Sequence, residues 1–499
     1  MKKGRTWKGV ASESADKVRE FLLSQGATED TGLKGASEVW RLRCMGSVFT
    51  YYTSGSLYFS GSTGNQLDLA YDKICELLGQ TLEMPERTVL IGLDETGKGE
   101  VLGHSVLCVV RIPRDILQAV DQVLSTADTK KRKSFAFWDS LVRELDRFRN
   151  KGMTYEIETI PPCDVDRYNV NKIMDVVYQR LLARILRGAD PSQCRIILDD
   201  YGIGRNLNGY FSMLDKSGAE VKVESKADEK YVEVRAASVI SKWRQQLNLS
   251  KIGERYALPN TPLGSGNAGD PETVKWLHEW KKTGEKWPWF VKTSFSNVRV
   301  IDGVKGKVCK AEPPIRHELL SLDSQNLFRE GQLSTSSLTI ACPNCGANTC
   351  ACKLTPDTQG ELTGRCISCG EVIRDLGPTL RYYCGMLIPD SSVLIAGAMS
   401  KDLDRKGFFE GFTVLFHPLV RKETDTPGGK RELEQIGDFA AMGRIAFRTI
   451  EGREDIEKEK HDLELIESAK KNDAILVTFD RGMYGNAVSQ SVFCLTMKT

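Results

Sequence analysis

The sequence of 499 residues contains no long apolar run. A membrane-spanning helix needs roughly 18 consecutive apolar residues, so the sequence excludes an integral membrane protein. Basic residues within 1–5 are followed by the polar segment 11–16 instead of the apolar core of a secretory signal, and we expect a cytoplasmic protein. Neither sign of charge dominates, since 69 basic and 67 acidic residues give a net charge of +2. A nucleic-acid partner would therefore have to be bound by a local basic patch.

Internal repeats and low-complexity tracts are also missing, and the length predicts roughly three domains. Apolar runs alternate with amphipathic segments, which predicts a multidomain α/β protein. We divide the chain into a small α+β domain (1–87), an α/β domain (88–299), a linker (300–338), a cysteine-rich segment (339–372) and a parallel α/β domain (385–499).

Local patterns predict individual elements in the first and last segments. Alternating apolar residues on both sides of a turn predict a β-hairpin over 48–59, and a helix is predicted at 67–78. Near the end of the chain we predict buried strands at 393–396 and 474–478, and helices at 431–447 and 462–471.

The fourteen cysteines are distributed unevenly, and six of them lie between Cys342 and Cys369. A disulfide scaffold is a poor interpretation without a secretory signal. Two Cys-x2-Cys-Gly motifs separated by 20 residues instead predict that the segment 339–372 is a zinc ribbon, with a closed, structural site of four thiolate ligands. These ligands are Cys342, Cys345, Cys366 and Cys369. Cys350 and Cys352 lie inside the loop, and the sequence leaves them open as spare thiols, alternative ligands or a second half-site.

Acidic residues follow two apolar runs of the second segment. Asp94 and Glu95 follow the run 88–93, and Asp199 follows the run 195–198. Because α/β sheets place their sites at the carboxyl ends of strands, these acids predict a Mg²⁺ or Mn²⁺ site. Two such ions, roughly 4 Å apart, can activate water for phosphodiester cleavage. We expect the chain to leave the strand after the run 88–93, because adjacent residues within a strand face opposite sides.

A further acid, Asp270, lies in a glycine-rich loop over 264–270. On spacing alone, its position before Pro271 is better explained by a helix cap or turn. The spacing of Gly92 and Gly97 also fits a phosphate-binding loop, which leaves a nucleotide hydrolase as an alternative. Against that alternative, Gly99 stands where the motif needs Ser or Thr, and the acids in the loop would repel phosphates.

In this order, the motifs of residues 88–298 resemble the ribonuclease HII and HIII family. They are the loop 94–99, whose Gly-Lys-Gly is nearer to HIII, Asp128-Thr129-Lys130, the block 226–231 with 236–238, the loop 264–271, and Trp287-Pro288. The resemblance implies an RNase H fold, a mixed sheet flanked by helices, and an endoribonuclease. It implies cleavage of RNA–DNA hybrids or of duplex DNA at embedded ribonucleotides, leaving a 5′-phosphate and a 3′-hydroxyl.

The same resemblance implies roles for individual residues. Asp94, Glu95, Asp199 and Asp270 would bind Mg²⁺ or Mn²⁺, although residues 267–269 depart from the family pattern beside the last of them. Gly97, Lys98 and Gly99 would sense a ribose 2′-hydroxyl, and Tyr231 would contact the nucleotide at the RNA–DNA junction. Residues 40–80 resemble the TATA-binding-protein-like substrate-binding domain of HIII enzymes, and a small α+β domain with an unknown partner is the alternative.

A second group of acids lies in the last segment at predicted strand ends and helix starts. Its members are Asp390, Glu423, Asp462 and Asp480. Together they resemble the PIN-domain nucleases over 385–499, which implies a second Mg²⁺ or Mn²⁺ site that cuts RNA, in particular single-stranded RNA. In the alternative interpretation, this segment and the zinc ribbon only bind nucleic acid and position a single ribonuclease H site.

Overall fold

The computed structural model describes residues 3–497 except 8, 31–34, 45, 62–69, 71–72, 79–83, 125–133, 307, 316–337 and 406. The chain forms two compact units. The first comprises Met1–Leu90, Ile112–Lys133 and Ser140–Met153, and the second comprises Ile91–Arg111, Ser134–Asp139 and Thr154–Thr499. Within the described ranges, no helix combines the length and apolarity that crossing a membrane requires. The motif at 128–130 and most of the predicted linker lie outside the described residues.

The N-terminal sheet is antiparallel and has five strands in the order β1-β5-β4-β3-β2. Its elements are β1 (Lys3–Trp7), α1 (Ser12–Ser24), β2 (Thr28–Glu29), β3 (Glu38–Cys44), β4 (Ser47–Tyr52) and β5 (Ser56–Gly61). The predicted hairpin is confirmed, because β4 pairs with β5 and Phe49 lies opposite Phe59. Alternate residues of these strands point to a core that Val18 and Leu22 of α1 complete. Of the predicted helix 67–78, the described residues 70 and 73–77 are helical.

The second sheet is mixed and has the order β10-β9-β6-β7-β8, with β7 and β8 antiparallel and β9 and β10 parallel. Its strands are β6 (Val89–Thr96), β7 (Ser105–Pro113), β8 (Thr154–Ile160), β9 (Cys194–Asp199) and β10 (Glu220–Glu224). The helices of this part are α2 (Leu117–Leu124), α3 (Phe135–Asp146), α4 (Pro162–Arg167), α5 (Val170–Ile185), α6 (Arg205–Lys216), α7 (Ala227–Lys230), α8 (Val232–Tyr256), α9 (Pro271–Lys282) and α10 (Ser296–Ile301).

The end of β6 differs from the prediction. The strand continues through Thr96, so Asp94 and Glu95 lie within it and the expected departure after residue 93 is wrong. The turn begins only at Gly97, whose φ of +91° lies in the region that favours glycine.

The third sheet has seven strands in the order β14-β13-β19-β18-β15-β16-β17. All neighbouring pairs are parallel except β13 with β14. The strands β11 (Ile340–Ala341) and β12 (Asn348–Thr349) form a separate pair. The strands of the seven-stranded sheet are β13 (Ala351–Pro356), β14 (Leu362–Cys366), β15 (Met386–Pro389), β16 (Thr413–Phe416), β17 (Ala446–Thr449), β18 (Ile475–Thr478) and β19 (Cys494–Met497). Strands of the predicted ribbon therefore extend the sheet of the C-terminal region.

Seven helices described in this region connect or flank the strands. They are α11 (Leu376–Tyr383), α12 (Ser391–Ile395), α13 (Ala398–Leu403), α14 (Pro418–Glu423), α15 (Pro427–Ala441), α16 (His461–Lys471) and α17 (Arg481–Ser489). The strand predicted at 474–478 and the helix predicted at 462–471 are confirmed by β18 and α16.

Two predictions in this region need correction. The apolar run 393–396 is not a strand, because Asp390 caps α12 and the strand is the preceding β15. The helix predicted over 431–447 ends at Ala441, because Gly443 with a φ of +85° reverses the chain before β17.

Candidate active sites and zinc centre

Three acids of the mixed sheet interact with one another. Asp94 of β6 is 6% exposed, and Asp199 ends the neighbouring strand β9. One oxygen of Asp94 accepts the N–H of Glu95 at 2.8 Å, and one of Asp199 accepts the N–H of Ala227 at 2.8 Å. Burial raises the pKa of Asp94 well above its usual range, and the charges of Glu95 and Asp199 raise it further, whereas the Ser238 hydroxyl lowers it.

Glu95 has the same electrostatic signature. Burial raises its pKa to about 7, Lys98 opposes this shift, and Asp199 adds to it. The Lys98 ammonium donates to the Tyr201 carbonyl at 2.9 Å and lies 5.2 Å from the centre of that tyrosine ring. A bound cation stabilises the ionised form of clustered carboxylates whose pKa values are raised. This donor set of carboxylate oxygens fits Mg²⁺ or Mn²⁺.

Asp270 is positioned by the glycine-rich loop and by α9. Its carboxylate accepts the N–H of Ser265 at 2.6 Å and, as the cap of α9, the N–H of Glu272 at 3.3 Å. The helix-cap interpretation is therefore confirmed. A role for Asp270 in metal binding stays a prediction.

Lys292, a residue that no sequence motif pointed to, supports the Gly97–Glu100 turn through hydrogen bonds. Lys292 is fully buried, and its ammonium donates to the carbonyls of Gly97 at 2.5 Å and of Glu100 at 2.8 Å. A Cβ on Gly97 would lie 2.5 Å from the carbonyl oxygen of His104, so only glycine fits. The one available signal was the position of Lys292, close behind the Trp287-Pro288 motif.

Three of the four predicted substrate contacts are at least partly exposed, whereas Gly97 is buried. Gly99 is exposed with open space around its Cα, and Lys98 is partly exposed. Tyr231 lies between α7 and α8, its hydroxyl donates to Glu224 at 2.8 Å, and the Arg195 guanidinium lies 5.6 Å from its ring centre. These contacts fix the ring while leaving it partly exposed.

Gly92 serves helix–strand packing. A Cβ at this position would lie 2.1 Å from the backbone of Glu233, because β6 packs directly on α8 there. The residue is buried and cannot cradle a phosphate, so the contact argues against the nucleotide-binding alternative.

The acids of the C-terminal region lie around the carboxyl ends of β15 and β18. These strands are neighbours, and the strand order reverses between them, because the chain continues from β15 to β16 in one direction and from β18 to β19 in the other. Ligands of α/β folds bind at such a position. Asp390 is 4% exposed, caps α12 and accepts hydrogen bonds from Ser392 at 2.6 Å and from the Thr478 hydroxyl. Asp480 is exposed and caps α17 through the N–H groups of residues 482 and 483.

The other two predicted acids join this group from α14 and α16. Burial raises the pKa of Asp390, and the charge of Asp480 adds to it. Burial also raises the pKa of Asp462, with further contributions from Asp480 and Glu423. His461, which the sequence analysis did not single out, contacts Glu423 at 2.6 Å. All four acids are therefore linked electrostatically, and their oxygens also suit Mg²⁺ or Mn²⁺.

The four predicted cysteine ligands come together. Among the residues that the structure describes, they form the one group of three or more His, Cys, Asp or Glu with all ligand atoms within 4.8 Å. The Sγ atoms of Cys342 and Cys369 are 3.5 Å apart, and those of Cys345 and Cys366 are 3.8 Å apart. A zinc tetrahedron with bonds of about 2.3 Å has edges of about 3.8 Å, so the group fits zinc. Backbone N–H groups, foremost that of Cys369, lower the pKa of the Cys366 thiol to about 6 and favour the zinc-binding thiolate.

The remaining cysteines of the loop stand apart from this group. Cys352 is buried opposite Cys366 in the β13–β14 pair, and burial raises its pKa to about 12. The Cys350 sulfur lies 4.0 Å from the carbonyl of Val488 on α17. Of the three possibilities that the sequence left open, this geometry favours spare thiols.

Clustered carboxylates at neighbouring strands of a mixed α/β sheet define the class of this protein as a hydrolase that acts on phosphodiester bonds with divalent cations. The family model described as Ribonuclease HII matches residues 91–298. The chain belongs to the ribonuclease HII family, acts on nucleic acid and is an endoribonuclease.

Individual relatives agree with this assignment. The Ribonuclease HII of Methanococcus vannielii is 30% identical over 217 residues, covering 42% of this chain and 83% of that protein. The enzyme of the same name from Aeropyrum pernix is 29% identical, covering 43% and 91%. The Ribonuclease HIII of Aquifex aeolicus is 26% identical over 292 residues, covering 58% and 98%. The predicted HII/HIII-type catalytic domain and its RNase H fold are thereby confirmed.

Proposed function

We propose that residues 88–299 cleave the RNA strand of RNA–DNA hybrids and the ribonucleotide linkage in duplex DNA, leaving a 5′-phosphate and a 3′-hydroxyl. The observation that carries this proposal is the group of Asp94, Glu95 and Asp199, in which burial and the charges of neighbouring carboxylates raise the pKa values of Asp94 and Glu95. Asp270 would complete the ligand set from the glycine-rich loop. Bound Mg²⁺ or Mn²⁺ would supply activated water and stabilise the leaving oxygen.

The chain's own residues would orient the substrate. The exposed backbone of Gly99 can approach a ribose closely, because no other atoms occupy the space where a Cβ would lie. Gly97 is buried and would act by shaping the turn that presents Gly99. Lys98 adds a cation for a phosphate, and Tyr231 offers a ring face to the nucleotide at the RNA–DNA junction. The 2′-hydroxyl is the group by which a protein distinguishes RNA from DNA.

Cleavage of end-labelled oligonucleotides tests this function. The substrates are a hybrid, a duplex with one embedded ribonucleotide, and an all-DNA duplex, each with Mg²⁺ or Mn²⁺. We expect the wild type to cut the first two and Asp94→Asn to cut neither. Asp390→Asn is the matched control because it removes a buried carboxylate elsewhere in the chain. Cutting by Asp94→Asn at the wild-type rate would refute the assignment.

We propose a second function for residues 385–499, a PIN-type nuclease that cuts single-stranded RNA. The specific observation is the electrostatic linkage of Asp390, Glu423, Asp462 and Asp480 around the ends of β15 and β18. We expect single-stranded RNA to be cut by the wild type and by Asp94→Asn, but not by Asp390→Asn. If Asp390→Asn leaves every product unchanged, this region is a binding scaffold for a single ribonuclease site.

The N-terminal domain and the cysteine group would have supporting roles. We propose that residues 1–87 bind the substrate, with Tyr58 and Arg43 exposed on the sheet. Zinc on the four cysteines would fasten β11–β12 to β14, which extends the sheet of the C-terminal region. A four-cysteine site has no open coordination position, so its role would be structural.

A further inference from the structure

A buried polar network joins the C-terminal region to the turn that precedes β7. Arg444, which lies between α15 and β17, is 1% exposed, and its guanidinium donates to Glu410 at 2.7 Å and to the Arg405 carbonyl at 2.7 Å. The other carboxylate oxygen of Glu410 lies 3.4 Å from Nε2 of His104. His104 directly precedes β7 in the ribonuclease region.

The charges of this network are fixed by its surroundings. Burial lowers the pKa of His104, so the ring is neutral at physiological pH. Because its Nε2 faces a carboxylate oxygen, that nitrogen carries the hydrogen. Burial raises the pKa of Glu410, but Arg444 and His104 outweigh it, and the pKa lies below its ordinary value. The result is a buried ion pair that accepts one directional hydrogen bond from His104.

The network continues to the residues that hold the Gly97–Glu100 turn. The Arg444 guanidinium lies 4.5 Å from the ring centre of Trp289, which in turn lies 5.4 Å from the His104 ring. Trp289 is followed three residues later by Lys292, whose ammonium binds the carbonyls of this turn. The carbonyl of His104 sets the close contact at Gly97. Of the two supports of the turn, His104 therefore contacts Glu410 directly, and Lys292 lies three residues after Trp289, which packs against Arg444.

We propose that Arg444 and Glu410 are positioning residues for the ribonuclease site, because through His104 and Trp289 they hold residues 97–104 in place. The C-terminal region is then a structural part of the ribonuclease active site, and this role does not depend on any nuclease activity of its own. This inference rests on the proposed function of residues 88–299. A displacement of about 1 Å in a positioning element can reduce a reaction rate by about 100-fold.

The test uses the full chain with Glu410→Leu/Arg444→Met, which removes both buried charges and leaves neither unpaired. The matched control is Asp164→Asn/Arg381→Met, which removes another buried ion pair between the ribonuclease and C-terminal regions. Thermal unfolding and zinc content establish that both variants are folded. The readouts are kcat and KM on the hybrid, and hydrogen exchange of the amides of 97–104.

We expect kcat on the hybrid to fall about 10-fold or more in the first variant, with faster exchange confined to 97–104. The control should keep wild-type kcat and exchange at these amides. Wild-type kcat and exchange in the first variant would overturn the proposal, and so would an equal loss in the control, which would mean that only attachment of the two regions matters. If the wild type cuts no hybrid, the proposed function is wrong, and the exchange comparison alone decides the positioning role.

Discussion

Replacing Glu95 by Gln isolates the electrostatic cost of the clustered carboxylates. In the metal-free protein, burial raises the pKa of Glu95 from 4.5 to about 7. The unfolded chain ionises this group at the lower value, so the folded state is penalised increasingly as the pH rises from below 4.5 to above 7. At about 1.4 kcal/mol per pKa unit the full penalty is about 3.5 kcal/mol. Because the side chain is partly exposed to solvent, we expect about 1–2 kcal/mol.

Urea unfolding in a chelator measures this difference. Glu95→Gln should be more stable than the wild type by this amount at about pH 8.5 and should lose most of the advantage at about pH 5. Mg²⁺ or Mn²⁺ should stabilise the wild type more than the variant, because binding to the folded state shifts the equilibrium. Glu459→Gln, at an exposed position, is the control and should show no such pH dependence. Equal destabilisation of Glu95→Gln at both pH values would refute the electrostatic reasoning.

Three further substitutions test the geometry. Gly92→Ala should destabilise the protein by about 3 kcal/mol, because the added Cβ meets the backbone of α8, whereas Gly99→Ala should unfold like the wild type in a thermal melt. Metal analysis of the purified protein should find one zinc ion per chain. Cys366→Ser should lose this zinc, whereas the control Cys309→Ser, at an exposed cysteine outside the group, should keep it. Retention of zinc by Cys366→Ser would contradict the assignment of this cysteine as a ligand. Lys292→Met should lower kcat on the hybrid by about 10-fold or more, because two carbonyls of the turn lose their donor, and an unchanged kcat would show that the turn needs no such support.

Local patterns were sufficient wherever neighbouring residues alone decide the structure. The hairpin over 48–59 was predictable because alternating apolar residues must share one face of a sheet. Local patterns gave the wrong element for 393–396, because a short apolar run fits a buried helix as well as a strand. The deciding contact is the cap that Asp390 provides to α12, and acids at strand ends and at helix caps look the same in a sequence.

The residues of the sites also differ in whether local sequence patterns could predict them. Spacing predicted that the four cysteines come together, because two Cys-x2-Cys turns can close a tetrahedron with few constraints from the rest of the chain. The acids of both groups were predicted from their positions after apolar runs and from family motifs. His461 and Lys292 were missed, because each acts through a contact with a residue distant in sequence.

The sequence by itself determined the ribonuclease HII motifs, the cysteine pairs and the elements with clear periodicity, since each depends on residues within a few positions of one another. Only the tertiary structure decided that the charges of Glu95 and Asp199 raise the pKa of Asp94, because their proximity depends on the pairing order of the sheet. It also decided that Arg444 and Glu410 lie against His104, more than 300 positions away in the chain. Long-range packing sets such contacts, and no local pattern encodes which distant side chains will share a buried space.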